Sequence, residues 1–135
     1  MAGSGMKNLK PEILRERLII EGFYEAVLDE EFLKNFLLKM SSTLELKPIV
    51  GPLTFSPDRF SELHHGLGGF LAWAESGVAF YSWSEHKFFT LDIYSCKPLN
   101  VNMVLDYVKR ELKCKTLEWQ KITYEQQAQT GESSL

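Results

Sequence analysis

Residues 69–96, GFLAWAESGVAFYSWSEHKFFTLDIYSC, constrain the fold more than any other stretch of the chain. This run and its first neighbour hold three short β-rich segments, GGFLAWA, GVAFYSW and KFFTLDIYS, with turn signals around Ser84-Glu85-His86. Aromatic and branched residues alternate with smaller or polar ones at a period of two, which is the pattern of strands. Segments this close in sequence pair antiparallel through tight turns. The Glu75-Ser76-Gly77 step interrupts the run. It is either an ordinary hairpin reversal or a place where Ser76 does chemistry on its own backbone.

The flanks supply the rest of a two-layer domain. Residues 17–26, RLIIEGFYEA, read as a strand interrupted by Gly22. Asp29 is placed to cap a helix running to about Met40, because Phe32, Leu33, Phe36, Leu37 and Met40 recur on one face. TLELKPIVGP reads as a second strand, broken by Pro48 and closed by Gly51-Pro52. Residues 53–66 read as a loop carrying Pro57 and the pair His64-His65. Asn100 caps a second helix, with Val101, Val104, Leu105, Val108 and Leu112 as its buried stripe. TLEWQKITY closes the chain as a last strand. The order β-α-β-β-β-β-α-β predicts an α+β fold: a two-layer sandwich, mainly antiparallel, with two helices on one face. Phe80, Trp83, Phe88, Phe89 and Tyr94 put apolar side chains on both faces of the central strands. The face without helices therefore calls for a cover, and a second copy of the chain would provide it.

Composition removes several classes. With 135 residues, 44% hydrophobic and 24% charged, the chain is one globular domain's worth. The expected domain is 6–124, with MAGSG at 1–5 a cloning remnant and 125–135 a polar, disordered tail. A net charge of −3 gives no basic field for nucleic acid. No apolar run approaches the roughly 20 residues that span a membrane. The start lacks the apolar core of a secretory leader. Cys96 and Cys114 are far apart, with no CxxC or His-rich partner, so no metal site is expected and a reduced, cytoplasmic setting is.

Taken singly, the chemical candidates are bland. A Glu-Ser pair is common in turns, and Cys96 at a strand end reads as a small buried hydrophobe. His64 and His65 read as solvated loop residues, Asp92 as the polar face of a strand, and Trp73, Trp83 and Trp119 as core or interface anchors. The combination says more. Ala74-Glu75-Ser76-Gly77, then Tyr81-Ser82-Trp83-Ser84-Glu85, then Asp92-Ile93-Tyr94-Ser95-Cys96 follow one another without a gap. This series resembles the small prokaryotic S-adenosylmethionine decarboxylases, in which the run reads approximately A/S-E-S-H-x-x-I-H-T-W-P-E, then D-I/L-F-T-C-G. A weaker likeness extends over about residues 17 to 122.

The resemblance implies a cofactor made from the chain itself. In that family the serine hydroxyl attacks the preceding glutamate carbonyl and turns the peptide bond into an ester. Loss of the serine α-proton then expels the upstream chain as a carboxylate, and the residue left behind hydrolyses to a pyruvoyl group. That group takes up the electrons released with carbon dioxide, as pyridoxal phosphate does elsewhere. By this likeness Ser76 is the serine converted, Glu75 the residue cut from it, and Cys96 the proton-donating cysteine. Glu85 matches the glutamate that holds the substrate ribose, and Phe23, beside Tyr24, the aromatic residue against its adenine. The implied ligand is S-adenosylmethionine, the implied product serves spermidine synthesis, and the implied assembly is a homodimer whose sites draw on both protomers.

Three positions depart from the family pattern. The histidine assigned to ester elimination is Tyr81 here, and a tyrosine with an unperturbed pKa of ~10 is a poor base where histidine has ~6.5. The assisting serine eight residues before the cleavage serine is Gly68, which has no hydroxyl. Gly77 stands where histidine is common. A working enzyme would need a replacement base, for which His64, His65 and Tyr81 itself are the candidates. The alternatives are a pyruvoyl decarboxylase of ornithine or arginine, or an unprocessed homologue that binds a nucleoside or regulates an active paralogue.

Overall fold

The computed structural model describes residues 5–125, so the expected remnant at 1–5 and the tail at 125–135 fall almost wholly outside the described residues. In order come β1 (Glu16–Phe23), α1 (Glu30–Leu44), β2 (Pro48–Phe55) and a 3-10 turn (Pro57–Arg59). β3 (Gly68–Trp73), β4 (Ser76–Trp83), β5 (Phe88–Ser95), α2 (Val101–Leu112) and β6 (Thr116–Lys121) follow. The six strands form one sheet in the order β2-β3-β4-β5-β1-β6, and every neighbouring pair is antiparallel. The expected α+β sandwich is the fold found.

Alternation along the strands decides which side is core. On β4, Ser76, Val78, Phe80 and Ser82 are buried while Gly77, Ala79, Tyr81 and Trp83 are half-buried on the opposite side. Leu18 and Ile20 of β1 and Leu91 and Ile93 of β5 join the buried side. Leu33, Phe36, Leu37 and Met40 of α1 and Val104, Tyr107, Val108 and Leu112 of α2 pack against it. Each such side chain contributes roughly 1.5–3 kcal/mol relative to exposure. Polar groups within this layer are partnered: the Tyr107 hydroxyl donates to the Phe36 carbonyl at 2.6 Å, and Trp73 Nε1 donates to Ser41 Oγ at 2.6 Å. An ion pair at 3.0 Å, Lys39 with Glu111, ties the two helices at the surface.

Both expected N-caps are present. Asp29 accepts from the Phe32 amide at 2.7 Å and Asn100 from the Met103 amide at 3.1 Å. Several boundaries differ from expectation: β1 ends at Phe23 rather than 26 and β6 at Lys121 rather than 124, and α1 and β2 differ more. α1 continues past Met40 to Leu44, through a Ser-Ser-Thr run of modest helix propensity. Tertiary contacts hold that extra turn: Ser41 Oγ donates back to Leu37 O at 3.0 Å while it accepts from Trp73, and Leu44 packs on the core. The second strand begins at Pro48 rather than 43 and runs on through Phe55, into residues expected to be loop. β2 is an edge strand, where proline is tolerated, and the register shifts on either side of Val50 absorb the irregularity.

Among the described residues nothing covers the face away from the helices. Ile19, Val50, Leu53, Phe70 and Tyr94 are exposed on it around a concavity of about 720 Å³. Among the described residues no helix is long and apolar enough to cross a membrane.

Candidate active site

The Glu75–Ser76 bond lies in the reversal between β3 and β4, where Ala72 opposite Gly77 is the last paired position. β5 runs alongside and ends level with this reversal, because Ser76 is in register with Ser95. Two contacts follow at the bond itself. The Cys96 amide donates to the Glu75 carbonyl oxygen at 2.8 Å. Ser76 Oγ lies 2.8 Å from Ser95 Oγ, with both side chains buried on the helix side. The Lys97 amide in turn donates to Ser95 Oγ at 2.9 Å. The ion pair of Lys97 with Glu75, at 3.6 Å and half exposed, adds little.

The Cys96 thiol sits on the open side. It lies 3.1 Å from the Tyr94 hydroxyl, and the Arg17 guanidinium stacks over the Tyr94 ring at 5.0 Å. The hydrogen bond to Cys96, ahead of desolvation, raises the Tyr94 pKa above that of a free phenol. Cys96 is exposed, unlike the buried small hydrophobe of the bland reading. Cys114 is the desolvated thiol, its pKa pushed up to about 11 by burial, which makes it a poor nucleophile at neutral pH.

The other residues singled out in the sequence gather at the opposite end of β4. Gly68 is directly across from Tyr81. A Cβ on Gly68 would come within 2.3 Å of the Phe55 ring, so Phe55 fills the space that a side chain there would need. Phe55, Phe70 and His64 surround the Tyr81 ring at centroid distances of 6.0, 5.8 and 5.4 Å. His64 stacks on Trp83 at 4.2 Å, and its Nε2 donates to the Ser82 carbonyl at 2.7 Å. A carbonyl can only accept, so that bond places a proton on Nε2. Gly66 makes the approach possible, since a Cβ there would meet Ser82 O at 1.9 Å.

His65 points elsewhere, 3.8 Å from Asp58 and half exposed. Glu85 is exposed in the turn joining β4 to β5. Phe23, at the end of β1, contacts Phe88 at 5.5 Å, and Phe88 contacts Trp83 at 5.7 Å. An aromatic row therefore leads to the ends of the strands that the turn carrying Glu85 joins. Tyr24, next to Phe23, is instead buried, and desolvation raises its hydroxyl pKa.

Ser76 and Tyr81 are thus not brought together within one chain. Five residues separate them along a strand, about 17 Å at strand rise, and the odd spacing puts them on opposite faces. Two residues that matter here escaped the sequence reading. Ser95 is legible only once the β4–β5 register pairs it with Ser76, and Phe55 only once β2 is extended beside β3. Among the described residues no three His, Cys, Asp or Glu side chains gather as a metal site would require.

Known proteins resemble this chain in sequence and in fold. The family model described as S-adenosylmethionine decarboxylase matches residues 17–124. An S-adenosylmethionine decarboxylase proenzyme of Thermoplasma volcanium is 34% identical over 91 residues, 62% of this chain and 70% of that protein. The proenzyme of Picrophilus torridus is 31% identical over 91 residues, with the same shares. The crystal structure of the adenosylmethionine decarboxylase from Aquifex aeolicus superposes with a TM-score of 0.68 at 20% identity, covering 87% of this chain and 95% of that one. At that identity the superposition speaks for the fold.

Proposed function

The chain belongs to the S-adenosylmethionine decarboxylase family, and we propose that it cuts its own backbone between Glu75 and Ser76 and then decarboxylates S-adenosylmethionine for spermidine synthesis. The observation that carries this reading is the grip on the Glu75–Ser76 bond. The amide of Cys96 points at the carbonyl oxygen on which negative charge develops when Ser76 Oγ attacks. A backbone donor so placed lowers the barrier by stabilising the oxyanion without having to reorganise. Attack forms the Oγ–carbonyl bond and breaks the Glu75–Ser76 C–N bond, leaving an ester.

The residues fit a pyruvoyl group at position 76, since the serine has its β-hydroxyl beside a polarised carbonyl in a reversal whose cutting leaves the sheet pairing intact. Such a group supplies the electron sink for loss of carbon dioxide. Cys96, exposed on the open face, is positioned to return a proton, with the Tyr94 hydroxyl orienting its sulfur. Glu85 and the aromatic row of Phe23, Phe88 and Trp83 form the nucleoside end: a carboxylate for ribose hydroxyls beside flat apolar surface for a base.

The two ends of β4 meet by dimerisation in this reading. The uncovered face carries Cys96 at one end and Tyr81, His64 and Trp83 at the other. A twofold-related copy laid on it brings the nucleoside end of one protomer over the cleavage end of its partner. The missing base is then supplied by the pair His64 and Tyr81 across that interface, whose rings lie 5.4 Å apart.

Intact mass and a denaturing gel of freshly purified protein test the reading. The expected result is an N-terminal piece of 75 residues and a pyruvoyl-blocked piece of 60, the remainder of 135; Ser76→Ala stays whole. A single full-length species after long incubation would mean the non-catalytic alternative, which the loss of the serine hydroxyl at Gly68 and its filling by Phe55 favour. If the chain is cut, carbon dioxide release from S-adenosylmethionine against ornithine and arginine identifies the substrate.

A further inference from the structure

We infer that Ser95 is a positioning residue for the self-cleavage, and that residues 95–97 act as one clamp on both reacting groups of the Glu75–Ser76 bond. The inference rests on the self-cleavage reading and adds to it the group that directs the nucleophile. Ser95 Oγ takes the hydroxyl of Ser76 at 2.8 Å, while the very next amide, that of Cys96, takes the carbonyl oxygen of Glu75 at 2.8 Å. The Lys97 amide donates to Ser95 Oγ at 2.9 Å and so orients its lone pairs. One of them remains to accept the Ser76 proton.

Burial makes the contact consequential. Ser76 is 8% and Ser95 0% exposed, so water does not compete for the Ser76 hydroxyl, and a buried hydroxyl left unpartnered is costly. With its proton engaged by Ser95, the Ser76 oxygen is held in one rotamer and its electron density is raised for attack. As the Oγ–carbonyl bond forms and the C–N bond breaks, the hydroxyl proton, first shared with Ser95 Oγ, ends on the freed amine nitrogen of residue 76. Nothing outside the chain is consumed. The contact is separate from position 68. The nucleophile already has a partner in its own chain, on the helix side, whereas Gly68 lies near the other end of β4 on the open side.

Ser95→Thr and Ser95→Val differ at the hydroxyl and otherwise share a shape, so comparing them isolates it. Freshly made protein is followed by intact mass with and without hydroxylamine, which cuts an ester at position 75 before elimination does. Ser95→Thr is expected to cut within about threefold of wild type, and Ser95→Val at least about tenfold more slowly, the scale on which a misplaced nucleophile acts. Hydroxylamine-dependent cutting falls in parallel in Ser95→Val, because the ester itself forms slowly. Equal rates for Ser95→Val and Ser95→Thr would overturn the role of Ser95 alone. So would a Ser95→Val protein that accumulates ester, since the defect would then lie in elimination. A wild-type chain that gives neither self-cut nor hydroxylamine-cut product would overturn the self-cleavage reading and this inference together.

Discussion

The two ends of β4 are built on different principles. At the start of the strand, Glu75, Ser76, Ser95, Cys96 and Lys97 are joined by three short hydrogen bonds, two of them donated by backbone amides, and the contacts are set by register. At its far end, Tyr81, His64, Trp83 and Phe55 touch mostly through ring faces and edges, around a glycine whose side-chain space is filled. At the first end the two serines are buried and the hydrogen bonds lie within one chain, while Glu75 and Cys96 stay exposed. The second lies on the open face and lacks an obvious base. The contrast teaches that the contacts around the Glu75–Ser76 bond and those around Tyr81 are set by separate parts of the scaffold, with departures from the family pattern at both: Gly77 at the first, Gly68 and Tyr81 at the second.

Co-expression of Ser76→Ala with Glu85→Ala tests the separation most sharply. If each site joins the cleavage end of one protomer to the nucleoside end of its partner, random pairing restores about a quarter of the wild-type sites from two inactive chains. No recovery of decarboxylation would show that both ends serve within one chain. Cys96→Ala comes next in size. It removes the thiol but keeps the amide on Glu75 O, so cleavage seen by intact mass should run at the wild-type rate while turnover falls by roughly 10²-fold, the usual scale for losing a general acid. Slowed cleavage in Cys96→Ala would merge the two functions that the geometry keeps apart. Tyr81→His is the smallest change and goes the other way. An imidazole beside His64 should speed the ester-to-pyruvoyl step about tenfold at neutral pH, since its pKa lies nearer that pH than a phenol's. An unchanged rate would remove Tyr81 from the elimination step.

Much of this was legible in the sequence. Period-two alternation marked β3, β4 and β5, and the caps at Asp29 and Asn100 marked both helix starts, because such signals depend only on near neighbours in the chain. The motif from Glu75 to Cys96 pointed to the family that the comparison then showed. The helix stop near Met40 and the strand start at 43 were misplaced because tertiary contacts outweighed local propensity: Trp73 reaches Ser41 from a strand 32 residues away.

What the sequence determined by itself was therefore the set of elements, their order, and the motif from Glu75 to Cys96 that marks the family. What the tertiary structure decided was the company each residue keeps. Ser76 and Ser95, 19 residues apart, meet because the turn between β4 and β5 sets their pairing, whereas Ser76 and Tyr81, only five apart, are parted by the pleat. Phe55 occupies the place of the absent hydroxyl at Gly68 because β2 lies along β3. The physical reason is the same in each case. Periodicity and capping act over a few residues of one chain segment, but contact across a sheet is fixed by register and by which face is covered, and these depend on the whole fold at once.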